Sequence, residues 1–478
     1  MTGGHYLLRA ILGVIANVTW TPGFVLRTLK KPLGRMKKAR VIGVIVAALL
    51  VGGVATAFVV AWQPALAAID PRAPQSFDAA LVKRGRELAA IGNCNNCHTV
   101  HGGKNFAGGL AVPTPFGAIF SSNITPDTET GIGRWSEEAF RRAMRSGVDR
   151  EGRHLYPTFP YDHFTHVSDE DNRALYAFLM TREPVHAPPR DNELSFPFNQ
   201  RLAVAGWKLL FLRAGSVRAD SAKSAEWNRG AYLVEGLAHC GACHTPRNAL
   251  GAERVDAAFA GGDVDHWRAF AINAQSSSPV PWDAQALYAY LRNGWHPDHG
   301  TARGPMAEVV NNLSAVPASD VRAIATYMAD ISSIPAQDRK LRGEAALARV
   351  KSAAPTGADS PGASIYAAAC ATCHDSSRPP PYGGINLALS STISSPDPRN
   401  LANIVLSGVR PVEGERSPIM PAFADSMTDA QLAVLLNYLR SRFTDQLAWT
   451  GLEKVIEEAR RRQTASLAPP SASADKMQ

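Results

Sequence analysis

Six cysteines and the histidines that follow them carry the chemistry of this 478-residue sequence. Cys94, Cys97, Cys240, Cys243, Cys370 and Cys373 are all of its cysteines. They close the same pentamer three times: CNNCH at 94–98, CGACH at 240–244 and CATCH at 370–374. C-x-x-C-H is the attachment signature of c-type haem. The two thiols add to the porphyrin vinyl groups, and the adjacent imidazole (His98, His244, His374) becomes the proximal iron ligand. A structural zinc site needs two C-x-x-C units close together, whereas successive pairs here lie 130 to 146 residues apart. A redox dithiol has no use for the histidine. A disulfide framework would not repeat the Cys-His step three times. Three covalent haem c groups are therefore expected.

The surroundings of the pentamers repeat as well. A helical stretch precedes each one: RGRELAAIGNC (84–94), RGAYLVEGLAHC (229–240) and GASIYAAAC (362–370). Gly85, Gly230 and Gly362 sit nine, ten and eight residues before the first cysteine. A helical glycine is costly and marks a close backbone approach. Each repeat ends on an amphipathic helix: SDEDNRALYAFLM (168–180), ASDVRAIATYMADI (318–331) and TDAQLAVLLNYLRS (428–441). Ser, Thr or Asp near each start predicts an N-cap. Phe178, Tyr327 and Tyr438 occupy the same place in the three copies.

Charge sets the location. The net charge of +8 comes from the first forty residues, which hold eight Lys/Arg and no Asp or Glu; the other 438 residues carry 42 of each sign. The excess is a flank, and nucleic acid is excluded as a partner. It precedes Val41–Trp62, 22 residues without a charge, long enough as a helix to cross a ~30 Å hydrocarbon core. Basic residues on its N-terminal side put that side in the cytoplasm and the rest of the chain in the periplasm. The rival reading is a signal peptide cleaved near Ala65-Leu66-Ala67, but the apolar run exceeds the ~7–15 residues of a signal h-region. Upstream, Leu7–Val18 could lie in the membrane interface. Between the first two repeats, FPFNQRLAVAGWKLLFLRAG (196–215) is too short to span. With Trp207, Lys208 and Arg213 it reads as an interfacial helix; a docking or core helix is the alternative.

The repeats resemble the small helical class of cytochrome c, in which the first and last helices cross at the glycine. The expected fold is mainly α: three tandem class I cytochrome c-like domains (76–190, 220–336, 362–445) after one N-terminal transmembrane helix (41–63). A basic cytoplasmic segment (1–40), the candidate interfacial helix (196–215) and a C-terminal tail (446–478) complete it. Within the tail, 451–463 reads as a helix and the end as disordered. The resemblance also implies a distal methionine before the closing helix. Met306 in GPM, 62 residues after His244, and Met420 in SPIMP, 46 residues after His374, fill that role; Met328 and Met427 read as core. The first repeat departs. Sixty-one residues after His98 stands Phe159, inside YPTFPYDHFTH (156–166), and phenylalanine cannot bind iron. His163 is the tentative distal ligand there, with His166, Met180 or an open position as alternatives.

With TPFGAIFSSNITPDTETGIGRWS (114–136), LYPTFPY (155–161), DPRNLANIVLSGV (397–409) and IMPAF (419–423), the chain resembles the tri-haem cytochrome c subunits of membrane-bound periplasmic dehydrogenases. PTFPYDHFT, where other branches read PAMPY, is similar to the branch paired with molybdenum hydroxylase-type enzymes, among them the aldehyde dehydrogenase of acetic acid bacteria. That resemblance implies a molybdopterin large subunit, a [2Fe–2S] small subunit and ubiquinone as the membrane acceptor. It implies an electron-transfer role in the inner membrane. The alternatives are a cytochrome subunit of a quinoprotein alcohol dehydrogenase or a flavoprotein sugar dehydrogenase. From a different class, the alternative is a peroxidase-like haem enzyme with an open first iron.

Overall fold

The computed structural model describes residues 42–48, 52, 61–352, 359–376, 378–410 and 417–467. Most of the predicted span 41–62, the stretch 7–18 and the end of the tail lie outside them. Among the described residues no helix is long and apolar enough to cross a membrane. The chain divides into two units, 1–62 and 63–478, and the second holds all three pentamers.

In the first repeat, α1 (Ala79–Ile91) starts on an Asp78 cap, and the CNNC turn follows at Cys94–Cys97. Strands β1 (Ala111–Thr114) and β2 (Gly117–Phe120) form a hairpin. Helix α2 (Glu137–Ser146) follows, then the closing helix α3 (Asp169–Met180), capped by Ser168. The stretch 188–195 contributes β3 (Glu193–Leu194), pairing with β2. Helix α4 (Arg201–Phe211) lies between the repeats.

The second repeat opens with α5 (Ala225–Tyr232), continued by a wider turn over Leu233–Leu237 to reach CGACH. Strands β4 (Gly262–Val264) and β5 (Trp267–Ala269) form a small hairpin. Helices α6 (Ala284–Asn293), α7 (Pro305–Ser314) and the closing α8 (Ala318–Ile331) follow. The expected side-chain cap is missing in α8: Pro317 takes the N-cap position, so Ser319 and Asp320 fall inside the first turn. Helix α9 (Ala336–Ser352) leads to the third repeat. There α10 (Pro361–Ala369), α11 (Arg399–Ser407) and the closing α12 (Asp429–Phe443) follow, the last with a full capping box of Thr428 and Gln431.

The three glycines do the same work three times. A Cβ on Gly85 would lie 1.9 Å from the Ala174 carbonyl oxygen and 2.7 Å from Phe178 Cβ. On Gly230 it would lie 2.0 Å from the Ala323 oxygen and 2.7 Å from Tyr327 Cβ. On Gly362 it would meet the Val434 oxygen at 2.5 Å and Tyr438 Cβ at 2.7 Å. Entry and closing helices therefore touch backbone to backbone, which only a residue without a side chain permits.

Two cores result. One is continuous through the first two repeats, joining Leu88, Ile91, Phe140, Leu175 and Phe178 to Leu233, Leu237, Leu291, Ile324 and Met328. The other belongs to the third repeat and includes Tyr366, Leu401, Leu432 and Leu436. The segment read as a tail completes this second core. Trp449, Leu452 and Ile456 are buried in it, and the helix α13 (Leu452–Leu467) runs past the expected 463. Arg440, buried beside Trp449, donates to the carbonyls of Ile393 (2.7 Å) and Ser395 (2.6 Å).

Candidate haem-attachment sites

Each pentamer ends a short helical turn, so its two thiols and its histidine share one local frame. None of the six cysteines is in a disulfide. Burial pushes Cys94 and Cys240 up to about 12 and Cys370 up to about 11. That sets these three apart from the low-pKa thiolate of a redox dithiol.

The histidines are held identically. His98 Nδ1 donates to the Ser122 carbonyl at 2.7 Å, His244 Nδ1 to that of Phe270 at 2.7 Å and His374 Nδ1 to that of Ile385 at 2.9 Å. A donating Nδ1 fixes the tautomer and leaves Nε2 as a lone-pair donor to a metal, the arrangement in which metal-binding histidines are held. Burial lowers the pKa of all three, so the imidazoles are neutral as ligation requires. Gly384 presses on the His374 ring, where a Cβ would be 2.6 Å from Nδ1. The residues present fit a covalently attached haem.

Met306 lies in the first turn of α7 and packs against the shared core. Gly304 sets it up at φ +57°, with no room for a Cβ against the Trp267 ring (2.5 Å). Met420 pairs its backbone with Val409 through two 2.9 Å hydrogen bonds and packs against the third repeat's core. Met328 is buried core, and Met427 packs on the second core.

The first repeat's loop is used differently. Phe159 stacks edge-on with Phe164, centroids 5.3 Å apart. Met180 is core, and His166 Nδ1 donates to the Gly215 carbonyl. His163 is buried, and both its ring nitrogens are engaged by the second repeat: Nδ1 donates to the Glu235 carbonyl (2.9 Å), and Nε2 meets Glu253 Oε1 (2.9 Å). Burial works against its protonation, but Glu253 and Asp162 outweigh it and raise the imidazole to about 9. To bind an iron, His163 would have to give up Glu253.

Some functional contacts went unread in the sequence. Asn312 of α7 donates to Asn93 (2.9 Å), Asn96 (3.2 Å) and Asn95 (3.3 Å) of the first attachment turn. Arg84 and Arg229 face Asp171 and Asp320 in a ring across the repeat boundary. Its edges measure 3.4 Å (Arg84–Asp171), 3.3 Å (Arg84–Asp320), 2.9 Å (Arg229–Asp320) and 3.9 Å (Arg229–Asp171). The repeated Arg-Gly at 84–85 and 229–230 was the available signal; the third repeat has Pro361-Gly362 there. The second and third repeats meet through β5 and α11, where Asn400 and the Arg268 backbone exchange two 2.8 Å hydrogen bonds.

A family model described as Cytochrome c matches residues 82–183, and one described as Cytochrome C oxidase, cbb3-type, subunit III matches 357–439. The chain is 36% identical over 405 residues to the fructose dehydrogenase cytochrome subunit of Gluconobacter japonicus, covering 80% of this chain and 83% of that one. The chain belongs to the cytochrome c subunits of dehydrogenases. The gluconate 2-dehydrogenase cytochrome c subunit of Pantoea cypripedii is 37% identical over 405 residues, 80% of this chain and 90% of that one. A nicotinate dehydrogenase subunit of Pseudomonas putida is 46% identical over 403 residues, 84% of this chain. The match spans 33% of that relative's length. As a dehydrogenase cytochrome c subunit, the chain uses haem c to transfer electrons.

Proposed function

We propose that this subunit carries three haem c groups and passes electrons, one at a time, from a periplasmic molybdopterin/[2Fe–2S] dehydrogenase to ubiquinone in the inner membrane. Haem supplies the one-electron chemistry. The chain's own residues supply attachment through Cys94/Cys97, Cys240/Cys243 and Cys370/Cys373, and proximal ligation through His98, His244 and His374. Distal thioethers come from Met306 and Met420. The observation that carries the reading is the triplicate arrangement of a C-x-x-C turn beside a histidine whose Nδ1 is bonded to a main-chain carbonyl.

An aldehyde dehydrogenase is the first choice of partner, from the likeness of PTFPYDHFT. A second reading, an enzyme acting on an aromatic N-heterocycle, is favoured by the 46% identity to the Pseudomonas putida nicotinate dehydrogenase subunit. Co-purification through a tag on this chain, with mass spectrometry of the partners, decides between them. A quinoprotein or flavoprotein partner would overturn both.

Helix α4 is the proposed membrane-facing element. Leu202, Leu209 and Leu210 are exposed on it, with Phe196 and Leu250 exposed nearby. Lys208 fastens it to the Ser146 and Gly147 carbonyls (both 2.6 Å). The chain following the predicted span is fastened to the same part of the first repeat: Arg142 donates to the Pro64 carbonyl (2.6 Å), and Leu66 N donates to that of Arg150 (2.8 Å). An apolar helix close to where the anchor ends suits the headgroup level.

A further inference from the structure

We propose that the first two repeats form a reciprocal pair, in which the distal segment of each positions the haem-attachment turn of the other. His163, from the distal loop of repeat one, lies on CGACH of repeat two. Asn312, from the distal helix of repeat two, lies on CNNCH of repeat one. The inference rests on the haem reading above and reassigns His163 from iron ligand to positioning residue.

Four observations converge on it. Gly241, inside the second C-x-x-C, has His163 directly over it: a Cβ there would be 3.1 Å from His163 Cε1. His163 also holds the Glu235 carbonyl, in the wide turn that delivers Cys240. Asn312 makes the corresponding contact in the opposite direction, spending its amide on Asn93, Asn95 and Asn96. The shared core and the Arg84–Asp171–Arg229–Asp320 ring lock the two repeats around this exchange. The third repeat has its own core and, with Pro361 and Gln431 at the corresponding places, lacks the ionic ring.

The consequence is electrical as well as mechanical. His163 faces Glu253, and Arg247 approaches the same carboxylate at 3.9 Å, with Asp162 alongside. Removing the imidazole leaves a partly buried carboxylate undercompensated next to the second attachment turn. Nearby negative charge favours the oxidised iron and lowers a haem's potential.

The test is potentiometry and low-temperature EPR on the purified full-length haem protein, with the second haem assigned by its loss in a Cys240→Ala/Cys243→Ala variant. His163→Ala lowers the midpoint of the second haem and leaves the first haem's spin state unchanged. Adding Glu253→Gln to it returns the midpoint toward the wild-type value, a rescue that mere loosening would not give. Asn312→Ala perturbs the first haem and spares the second. If His163→Ala instead drives the first haem high-spin while the second keeps its potential, His163 is an axial ligand and the pairing role is wrong. An unmoved second midpoint in His163→Ala also overturns it. Should that variant assemble poorly, Asn312→Ala carries the test alone: an unaltered first haem refutes the reciprocity. Intact mass of the wild type keeps the two readings apart, since fewer than three covalent haems would sink the haem reading itself.

Discussion

Gly85 lies against the carbonyl oxygen of Ala174 so closely that a methyl group there would sit 1.9 Å from it. The same contact recurs between Gly230 and Ala323 and between Gly362 and Val434. Gly85→Ala must push α1 off α3, and overpacking of this kind costs about 1–3 kcal/mol. Thermal unfolding followed by circular dichroism should show a lowered midpoint for each Gly→Ala variant. An unchanged midpoint would mean that the helices are not in backbone contact.

Asp320 joins the two repeats electrostatically. Burial alone would raise its pKa, but the hydrogen bonds and charges of Arg229 and Arg84 prevail and hold it below the usual range. A depressed native pKa contributes stability that is present above the unfolded value, ~3.9, and is lost as pH falls through the native value. Wild-type stability should therefore decline as the solution is acidified below about pH 4. Asp320→Asn should be less stable at neutral pH and show a shallower acid limb. Identical acid limbs would remove Asp320 from the interface energetics.

The two methionines should separate from the proximal histidines in their spectra. Thioether ligation raises the potential. Met306→His and Met420→His should each lower the midpoint of one haem and keep it low-spin. His244→Ala and His374→Ala should each remove one low-spin signal while the thioether bonds persist. A methionine variant with unaltered midpoints would show that its sulfur is not a ligand.

Much of this architecture was legible because it is local. The pentamers, the glycines and the closing helices announce themselves within about a dozen residues. Helix α9 did not, because AQDRKLRGEAALARVKS has little apolar periodicity and owes its helicity to Ala, Arg, Lys and Glu propensity. The fold-back of α13 depends on Trp449 finding the Ser395 carbonyl, 3.2 Å away but 54 residues earlier. His163 was the hardest to read. Its partners Glu235 and Glu253 stand 72 and 90 residues downstream in another repeat, and no local pattern announces them.

That fold-back has its own consequence. Trp449→Ala should destabilise the third repeat by about 3–5 kcal/mol, as for a large buried aromatic, and leave the paired repeats unaffected, since the cores are separate. Limited proteolysis should then cut first within 359–467. Protection equal to wild type would mean that α13 is dispensable to that core.

Exposed leucines on α4 should govern membrane contact. Leu209→Ser/Leu210→Ser should weaken quinone reduction and vesicle binding while leaving artificial-acceptor activity intact. Trp207 is a poorer probe, because its Nε1 donates to the Leu250 carbonyl at 3.0 Å and its ring packs edge-on against Tyr161. Unchanged quinone kinetics would assign this face elsewhere.

The most direct measurement is the intact mass of the purified chain under denaturing conditions, for the wild type and for each Cys→Ala pair variant. Three covalently retained haems are expected, with one lost on substituting Cys94/Cys97, Cys240/Cys243 or Cys370/Cys373. A wild type retaining fewer than three, or a pair variant that loses none, would contradict it.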